Sequence, residues 1–236
     1  MPKVKNFLLD IFFPRFCLGC GREATYLCED CMATLEISEH RYCLCDKARL
    51  TSGGKCPRCD YKKLSGLYSA LSYKEKPLTR KLIHAFKYPP SYVKELAVPL
   101  ASIIIDHIYL LGETPKSLFK EGLLAPIPLD KKKMKQRGYN QSEELAKEIS
   151  KATGAPVATN ILFKIKATPA QMELGEKERR ENLKDSFKCG NTECVRGKNI
   201  FLVDDVYTTG STIEECASQL LLAGAKQVQG IVVARD

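Results

Sequence analysis

The spacing of apolar residues changes near residue 64. Before that point they are scattered among cysteines and glycines without a sustained period; after it, short apolar runs alternate with amphipathic stretches. A run of four to eight apolar residues bounded by turn formers reads as a buried strand, and an i, i+3, i+4 recurrence reads as a helix. On that basis "GLYSALSY" (66–73) is a strand or hairpin arm, and "PLTRKLIHAFKY" (77–88) is a helix with Leu78, Leu82, Ile83 and Phe86 on one face. "LAVPLASIIIDHIYLL" (96–111) reads as a helix entered near Lys94, and "LLAPIPL" (123–129) as a buried strand ended by prolines. "NQSEELAKEISKATG" (140–154) is a helix with its Glu and Lys residues outward and Gly154 at its end. The unbroken apolar run of "NIFLVDDV" (199–206) marks a central strand. A helix "STIEECASQLLLAGA" (211–225) and a closing strand "VQGIVVARD" (228–236) follow.

Strands alternating with helices predict an α/β fold, a mostly parallel sheet flanked by helices, over residues 64–236. Residues 1–63 form a separate unit in this reading: an apolar helix or arm to about residue 14, then a Cys-rich module. Composition does not disturb the picture. The 236 residues are 44% hydrophobic and 28% charged, an ordinary globular balance. The longest apolar stretch, Glu95 to Leu111, contains Pro99, Asp106 and His107 and fails as a membrane span. Nothing in the N-terminus reads as an export signal, so the expected setting is cytoplasmic, away from membranes.

Eight of the eleven cysteines fall between Cys17 and Cys59. In a reducing compartment such clustering points to metal rather than to disulfides. Cys17, Cys20, Cys28 and Cys31 form two Cys-x₂-Cys pairs that can converge tetrahedrally on one zinc ion. Cys43, Cys45, Cys56 and Cys59 form a second quartet, in which only one residue separates the first two. His40 is an alternative ligand there, and interleaved pairing of the quartets is also open. One or two Zn²⁺ ions are therefore expected, with a structural role, because four thiolates leave no open coordination position. Cys189, Cys194 and Cys216, like His84 and His107, read as packing residues.

The net charge of +9 suggests an acidic partner until its distribution is considered. Residues 1–66 carry 11 Lys/Arg against 8 Asp/Glu, and two zinc-thiolate sites would bring that segment close to neutral. The basic excess lies further on, densest at "DKKKMKQR" (130–137), a loop whose lysines read equally as solvated surface or as phosphate-binding cations.

The most specific chemistry is "FLVDDVYTTGST" (201–212). It sits at the carboxyl end of a predicted central strand, where open α/β sheets bind ligands. Thr208, Thr209, Gly210, Ser211 and Thr212 place hydroxyls and backbone N–H groups at a helix N-terminus, which is an anion site. Asp204 and Asp205 just ahead can accept hydrogen bonds from a sugar diol. A phosphate cradle beside a diol site describes a 5-phosphoribosyl group, with a divalent cation compatible with the oxygen donors.

This stretch resembles the phosphoribosyl-diphosphate signature of type I phosphoribosyltransferases. The resemblance implies that Asp204 and Asp205 take the ribose, and that the segment from Val206 and Tyr207 through Thr212 holds the 5-phosphate, with Mg²⁺ bound alongside. "LIHAFKY" (82–88), "APIPLDKKKMKQRGYNQSEELA" (125–146) and "KATPAQMELGEKERRENLKDSF" (166–187) are similar to the competence protein F family. That family couples a zinc module to a phosphoribosyltransferase-like domain and is associated with DNA uptake and natural transformation.

The resemblance places Arg137, Gly138, Tyr139, Asn140 and Gln141 at the mouth of the site. Arg137 with Lys87 and Lys135 would bind diphosphate, and Arg137, Asp204 and Asp205 would be catalytic. "KATPAQMELGEKERRENL" (166–183) reads as a mobile lid, in which Thr168, Gln171, Arg179, Arg180 and Asn182 match the family pattern. Where relatives commonly show Arg, this chain has Lys164 and Lys166. The acceptor base stays open. A second reading is a non-enzymatic accessory protein that senses phosphoribosyl diphosphate and docks single-stranded DNA or a DNA-processing protein. Arg15, Phe16, Arg22, Tyr26, Arg41, Tyr42, Arg58 and Tyr61 supply the basic and aromatic residues of such a dock.

Overall fold

The computed structural model describes residues 14–45, 49–50, 54–166, 183 and 185–236. Its organising element is a four-stranded, wholly parallel sheet of β3 (Leu67–Ser72), β4 (Gly122–Pro126), β7 (Asn199–Tyr207) and β8 (Gln227–Arg235), in the order β3-β8-β7-β4. β7 and β8 occupy the centre and are buried on both faces, which is why their apolar runs are continuous rather than alternating. The "strand or hairpin arm" at 66–73 is the outer strand β3, in parallel register with β8 through Leu67 and Gly230.

Two cores result. On one face Leu82, Ile83 and Phe86 of helix α2 (Pro77–Lys87) pack with Leu100, Ile103 and Ile104 of α3 (Ala97–Leu110) and with Leu145 and Ile149 of α6 (Gln141–Thr153). On the other, Ile213, Ala217 and Leu220 of α7 (Ser211–Leu222) meet Ile200, Leu202 and Val232. A single helical turn, α4 (Pro115–Leu118), leads into β4.

The Cys-rich segment contains a short helix α1 (Glu29–Ala33), a two-stranded pairing of β1 (Arg41–Tyr42) with β2 (Arg49–Leu50), and a 3₁₀ turn at Pro57–Cys59. It contributes to both cores. Leu27 joins the first, whereas Cys43, Leu44 and Cys59 join the second.

One expectation needs correction. The basic stretch at 131–137 is not a loop but helix α5 (Lys131–Arg137). Asp130 caps it, its Oδ1 accepting from the Lys133 N–H at 2.9 Å, and Gly138 ends it. The cap outweighs the mutual repulsion of four lysines and an arginine, a balance that periodicity does not reveal. The lid expected over 166–183 lies, apart from residues 166 and 183, outside the described residues, and Thr168, Gln171, Arg179, Arg180 and Asn182 with it. Beyond it, β6 (Phe187–Cys189) pairs with β5 (Leu162–Lys164) in a small antiparallel ribbon. Strands of three residues are too short to declare a period.

The helix at 140–154 forms as its sequence indicates. Asn140 caps α6, its Oδ1 accepting from Ser142 N–H at 3.1 Å, and Gly154 closes the helix in the left-handed region at φ 77°. Asn140 does a second job: its Nδ2 donates to the Ile127 carbonyl at 2.9 Å, tying α6 to the end of β4. Asn140→Ala removes a cap and a buried hydrogen bond together. Urea denaturation should show about 2–3 kcal/mol of lost stability with an unchanged m-value.

Candidate functional site

The carboxyl ends of β4 and β7, the end of α2, helix α5 and the start of α7 enclose a cavity of about 440 Å³. The acidic pair at its base is divided by the pleat of the strand. Successive side chains point to opposite faces, so Asp204 lines the cavity while Asp205 does not and is fully buried. Asp205 Oδ1 accepts from Lys87 Nζ at 2.8 Å, and its Oδ2 is buried without a hydrogen-bond partner. Asp204 Oδ1 accepts from Ser142 Oγ and from the Asp205 N–H, both at 2.9 Å.

These surroundings set the charges. Burial, reinforced by the neighbouring Asp205, raises the Asp204 carboxyl to about 6, against the pull of Lys87 and the hydrogen bonds from Asp205 and Ser142. Burial opposes charging Lys87, but Asp205 and then Asp204 more than offset it, and the ammonium is held charged well above the ordinary lysine range. Asp204 is thus ionised at neutral pH and neutral below about 6. A diol hydrogen-bonded to the ionised carboxylate should be released as pH falls through that value. The affinity for ribose 5-phosphate, divided by that for methyl phosphate, should fall toward tenfold per pH unit below 6. Both are phosphate monoesters, so the ratio largely cancels titration of the phosphate itself.

Above Asp204 the turn 208–212 opens helix α7. Gly210 is its N-cap, in the left-handed region at φ 75°, and supplies no side chain to satisfy the first N–H groups. A Cβ at Gly210 would lie 2.4 Å from Tyr207 Oη, so both the conformation and the space require glycine. Thr209 Oγ1 and Ser211 Oγ share a hydrogen bond of 2.9 Å, which turns both hydroxyls toward the same cradle. Val206, Tyr207 and the whole of Thr208 to Thr212 border the cavity.

Four cations face this anion site. Lys87 and Arg137 were expected. Arg137 ends α5, and its Nη1 donates to Gln141 Oε1. Lys133 and Lys164 complete the set, with Lys164 Nζ 4.0 Å from Asp130. Burial and then the nearby Lys133 lower the Lys164 ammonium below its usual range. Lys135 does not line the cavity; two residues from both Lys133 and Arg137, it does not share their helical face. Asn140 does not line it either, its side chain being committed to the cap and to Ile127. Ser142 and Lys133 escaped the sequence reading. Recognising 131–137 as a helix would have found Lys133, because i and i+4 share a face with Arg137.

The cysteines sort sequentially. Cys17, Cys20, Cys28 and Cys31 bring their sulfurs within 4.8 Å of one another, and Cys43, Cys45, Cys56 and Cys59 do the same. Neither His40 nor interleaved pairing enters. Sulfur separations of 3.6 and 3.7 Å are near the roughly 3.8 Å edge of a tetrahedron with 2.3 Å zinc–sulfur bonds, and far from a disulfide. Backbone N–H groups already serve the sulfurs: Cys28 N–H donates to Cys17 Sγ at 3.4 Å and Cys56 N–H to Cys43 Sγ at 3.1 Å. Burial opposes ionising Cys17 and Cys43, yet such N–H donors bring their thiols down to about 6 and about 7. Both quartets therefore fit zinc.

The one-residue spacing at Cys43-x-Cys45 is accommodated by a different knuckle, in which Leu44 is buried against the second core. The proposed DNA-docking set fares less well. Arg41 is paired with Glu113 and stacked on Tyr68, Tyr26 packs against the first core, and Arg22 is paired with Asp30. His107 is a buried packing residue whose Nδ1 lies 2.7 Å from the Ser38 carbonyl.

A parallel sheet with an Asp-bearing strand, followed by a hydroxyl-rich turn at a helix start, defines a phosphoribosyltransferase-type domain. The family described as "Phosphoribosyl transferase domain" matches residues 93–236, and the chain belongs to it. Its relatives carry DNA-related names. The "DNA utilization protein YhgH" of Salmonella typhi is 29% identical over 204 residues, 84% of this chain and 87% of that protein. "Competence protein F" of Haemophilus influenzae is 36% identical over 107 residues, 45% of this chain and 47% of that protein. Among solved structures, the glutamine phosphoribosylpyrophosphate amidotransferase of B. subtilis aligns with a TM-score of 0.40 at 16% identity, over 64% of this chain and 30% of that one. Among the described residues, no helix is long and apolar enough to cross a membrane.

Proposed function

We propose that the chain binds 5-phosphoribosyl diphosphate with Mg²⁺ and acts as a cytoplasmic phosphoribosyltransferase-type protein in DNA uptake and use. One observation carries this reading: Asp204 and the Thr208–Thr212 cradle face the same cavity, which four cations surround. The cradle takes the 5-phosphate and Asp204 the ribose hydroxyls. Arg137, Lys133 and Lys164 are placed to receive the diphosphate, Arg137 with a fork suited to it. Asp205 acts from behind, fixing Lys87 at the edge of the cavity.

The carboxylates of Asp204 and Asp130 border the cavity, a donor set that suits Mg²⁺, which typically takes one or two carboxylates plus substrate phosphates. Bound there, the ion would neutralise charge on the departing diphosphate. Transfer would break the bond between the anomeric carbon and the diphosphate oxygen and form one to an acceptor base. The cations of this chain would stabilise the charge that develops on the leaving oxygens.

The test is calorimetric titration of the zinc-loaded protein with phosphoribosyl diphosphate, ribose 5-phosphate and inorganic diphosphate, each with and without Mg²⁺. Tightest binding is expected for phosphoribosyl diphosphate with Mg²⁺. A folded protein that binds none of the three would remove this reading. The names of the relatives support the DNA context, and exposed Phe16 and Tyr61 on the Cys-rich segment leave a docking role to be measured as salt-dependent single-strand binding.

A further inference from the structure

Tyr207, the last residue of β7, joins two parts of the molecule that the phosphoribosyl reading treats separately. Its ring is 3% exposed and packs directly under Gly210 of the cradle, where a Cβ would approach Tyr207 Cζ to 2.5 Å. Its hydroxyl donates to the Leu44 carbonyl at 3.2 Å and accepts from Lys62 Nζ at 2.9 Å. Lys62 Nζ donates in turn to the same Leu44 carbonyl at 2.8 Å.

Leu44 is the residue between Cys43 and Cys45, and Lys62 lies three residues beyond Cys59. The hydroxyl is therefore anchored to the knuckle of the second four-cysteine site. Two more contacts run in parallel. The Arg235 guanidinium stacks 5.8 Å from the Tyr207 ring and donates to the Cys43 carbonyl at 3.0 Å. The Lys63 N–H donates to Glu214 Oε2, in the first turn of α7, at 2.7 Å. The first four-cysteine site lies against a different element: Gly19 beside it faces Leu78 of α2.

We propose that Tyr207 is a positioning residue that couples the phosphate cradle to the second zinc site, so that zinc at Cys43, Cys45, Cys56 and Cys59 and ligand at the cradle stabilise each other. Metal fixes the Leu44 carbonyl and Lys62, these fix the hydroxyl, and the ring then backs the tight turn at Gly210. Binding free energies are reciprocal, so a ligand that rigidifies the cradle must also tighten the cysteines. The ligand arm of this inference rests on the phosphoribosyl reading.

The experiment uses the full, zinc-loaded chain with N-ethylmaleimide, following each cysteine peptide by mass spectrometry. Phosphoribosyl diphosphate with Mg²⁺ should slow labelling of Cys43, Cys45, Cys56 and Cys59 by about fivefold or more. Labelling of Cys17, Cys20, Cys28 and Cys31 should change little. Tyr207→Phe, which keeps the ring and removes only the hydroxyl, should erase that difference. If the ligand binds by calorimetry and protects neither quartet, or both equally, the coupling is overturned.

A ligand-free arm reads the link by itself. In zinc-loaded Tyr207→Phe, amide hydrogen exchange at residues 208–213 should rise severalfold while β4 amides stay as in the wild type. Unchanged exchange at 208–213 overturns the proposal. Failure of phosphoribosyl diphosphate to bind would instead remove the functional reading and leave this arm to decide the link.

Discussion

Asp204→Asn should lower the affinity for phosphoribosyl diphosphate with Mg²⁺ by a hundredfold or more, measured by calorimetry, with thermal stability unchanged or raised. Hydrogen bonds to a charged acceptor contribute about 1.5–3 kcal/mol each, and the ribose diol offers two. The amide is isosteric, and its oxygen can keep both the Ser142 hydroxyl and the Asp205 N–H, now held at 2.9 Å. It carries no negative charge to bury, and burial already pushes the Asp204 carboxyl up to about 6. Asp205→Asn behaves differently. It strands a Lys87 ammonium with only 25% of its side chain exposed, so the cost appears first in stability. Equal binding losses with equal stability in the two variants would contradict the separation of the pair by the strand pleat.

Removal of zinc is the second large effect. Chelation should lower the thermal midpoint by more than about 10 °C, and metal analysis of the untreated protein should find two zinc ions per chain. Structural zinc in isolated fingers contributes about 10–16 kcal/mol of apparent folding free energy, as much as a whole domain's net stability. Here Cys43 and Cys59 are only 0% and 1% exposed in the second core, and Cys17 is 4% exposed. Metal loss would remove the cross-links that tie these segments together and leave unligated sulfurs inside packed regions rather than on a loose appendage. An apo protein that melts at the same temperature would show that packing alone holds the module and would end the structural-zinc assignment.

Much of this was legible because the strong signals are local. The apolar run Ile200–Val203, the Asn140 cap with Gly154, and the Pro77 start of α2 each announce their element within a few residues. So does the cradle, since hydroxyls, glycine and a helix start are contiguous. What was missed depends on partners far along the chain. The helical state of 131–137 rests on a cap. The three-residue strands of the ribbon exist only because Leu162 and Cys189 meet in register. Asp205 looked equivalent to Asp204 until the pleat assigned them opposite faces. Asn140 looked like a ligand because an Asn beside Arg137 suits a polar site, and only the Ile127 carbonyl shows where its amide goes. Spacing suggested the sequential quartets of cysteines, but only the structure removes His40 and the interleaved pairing.

The strand order has a consequence for how the molecule can form. Among the described strands of the sheet β3 pairs only with β8, and β8 follows every other strand in the chain yet lies inside the sheet. On the ribosome, β4 and β7 can pair as soon as both emerge, but β3 waits with an open edge until residues 227–235 are made. The Cys43 carbonyl waits as long, since its guanidinium partner is Arg235. Non-local closure of this kind is slow. Nascent chains arrested before residue 227 should be digested by protease through the Cys-rich segment even when zinc is abundant.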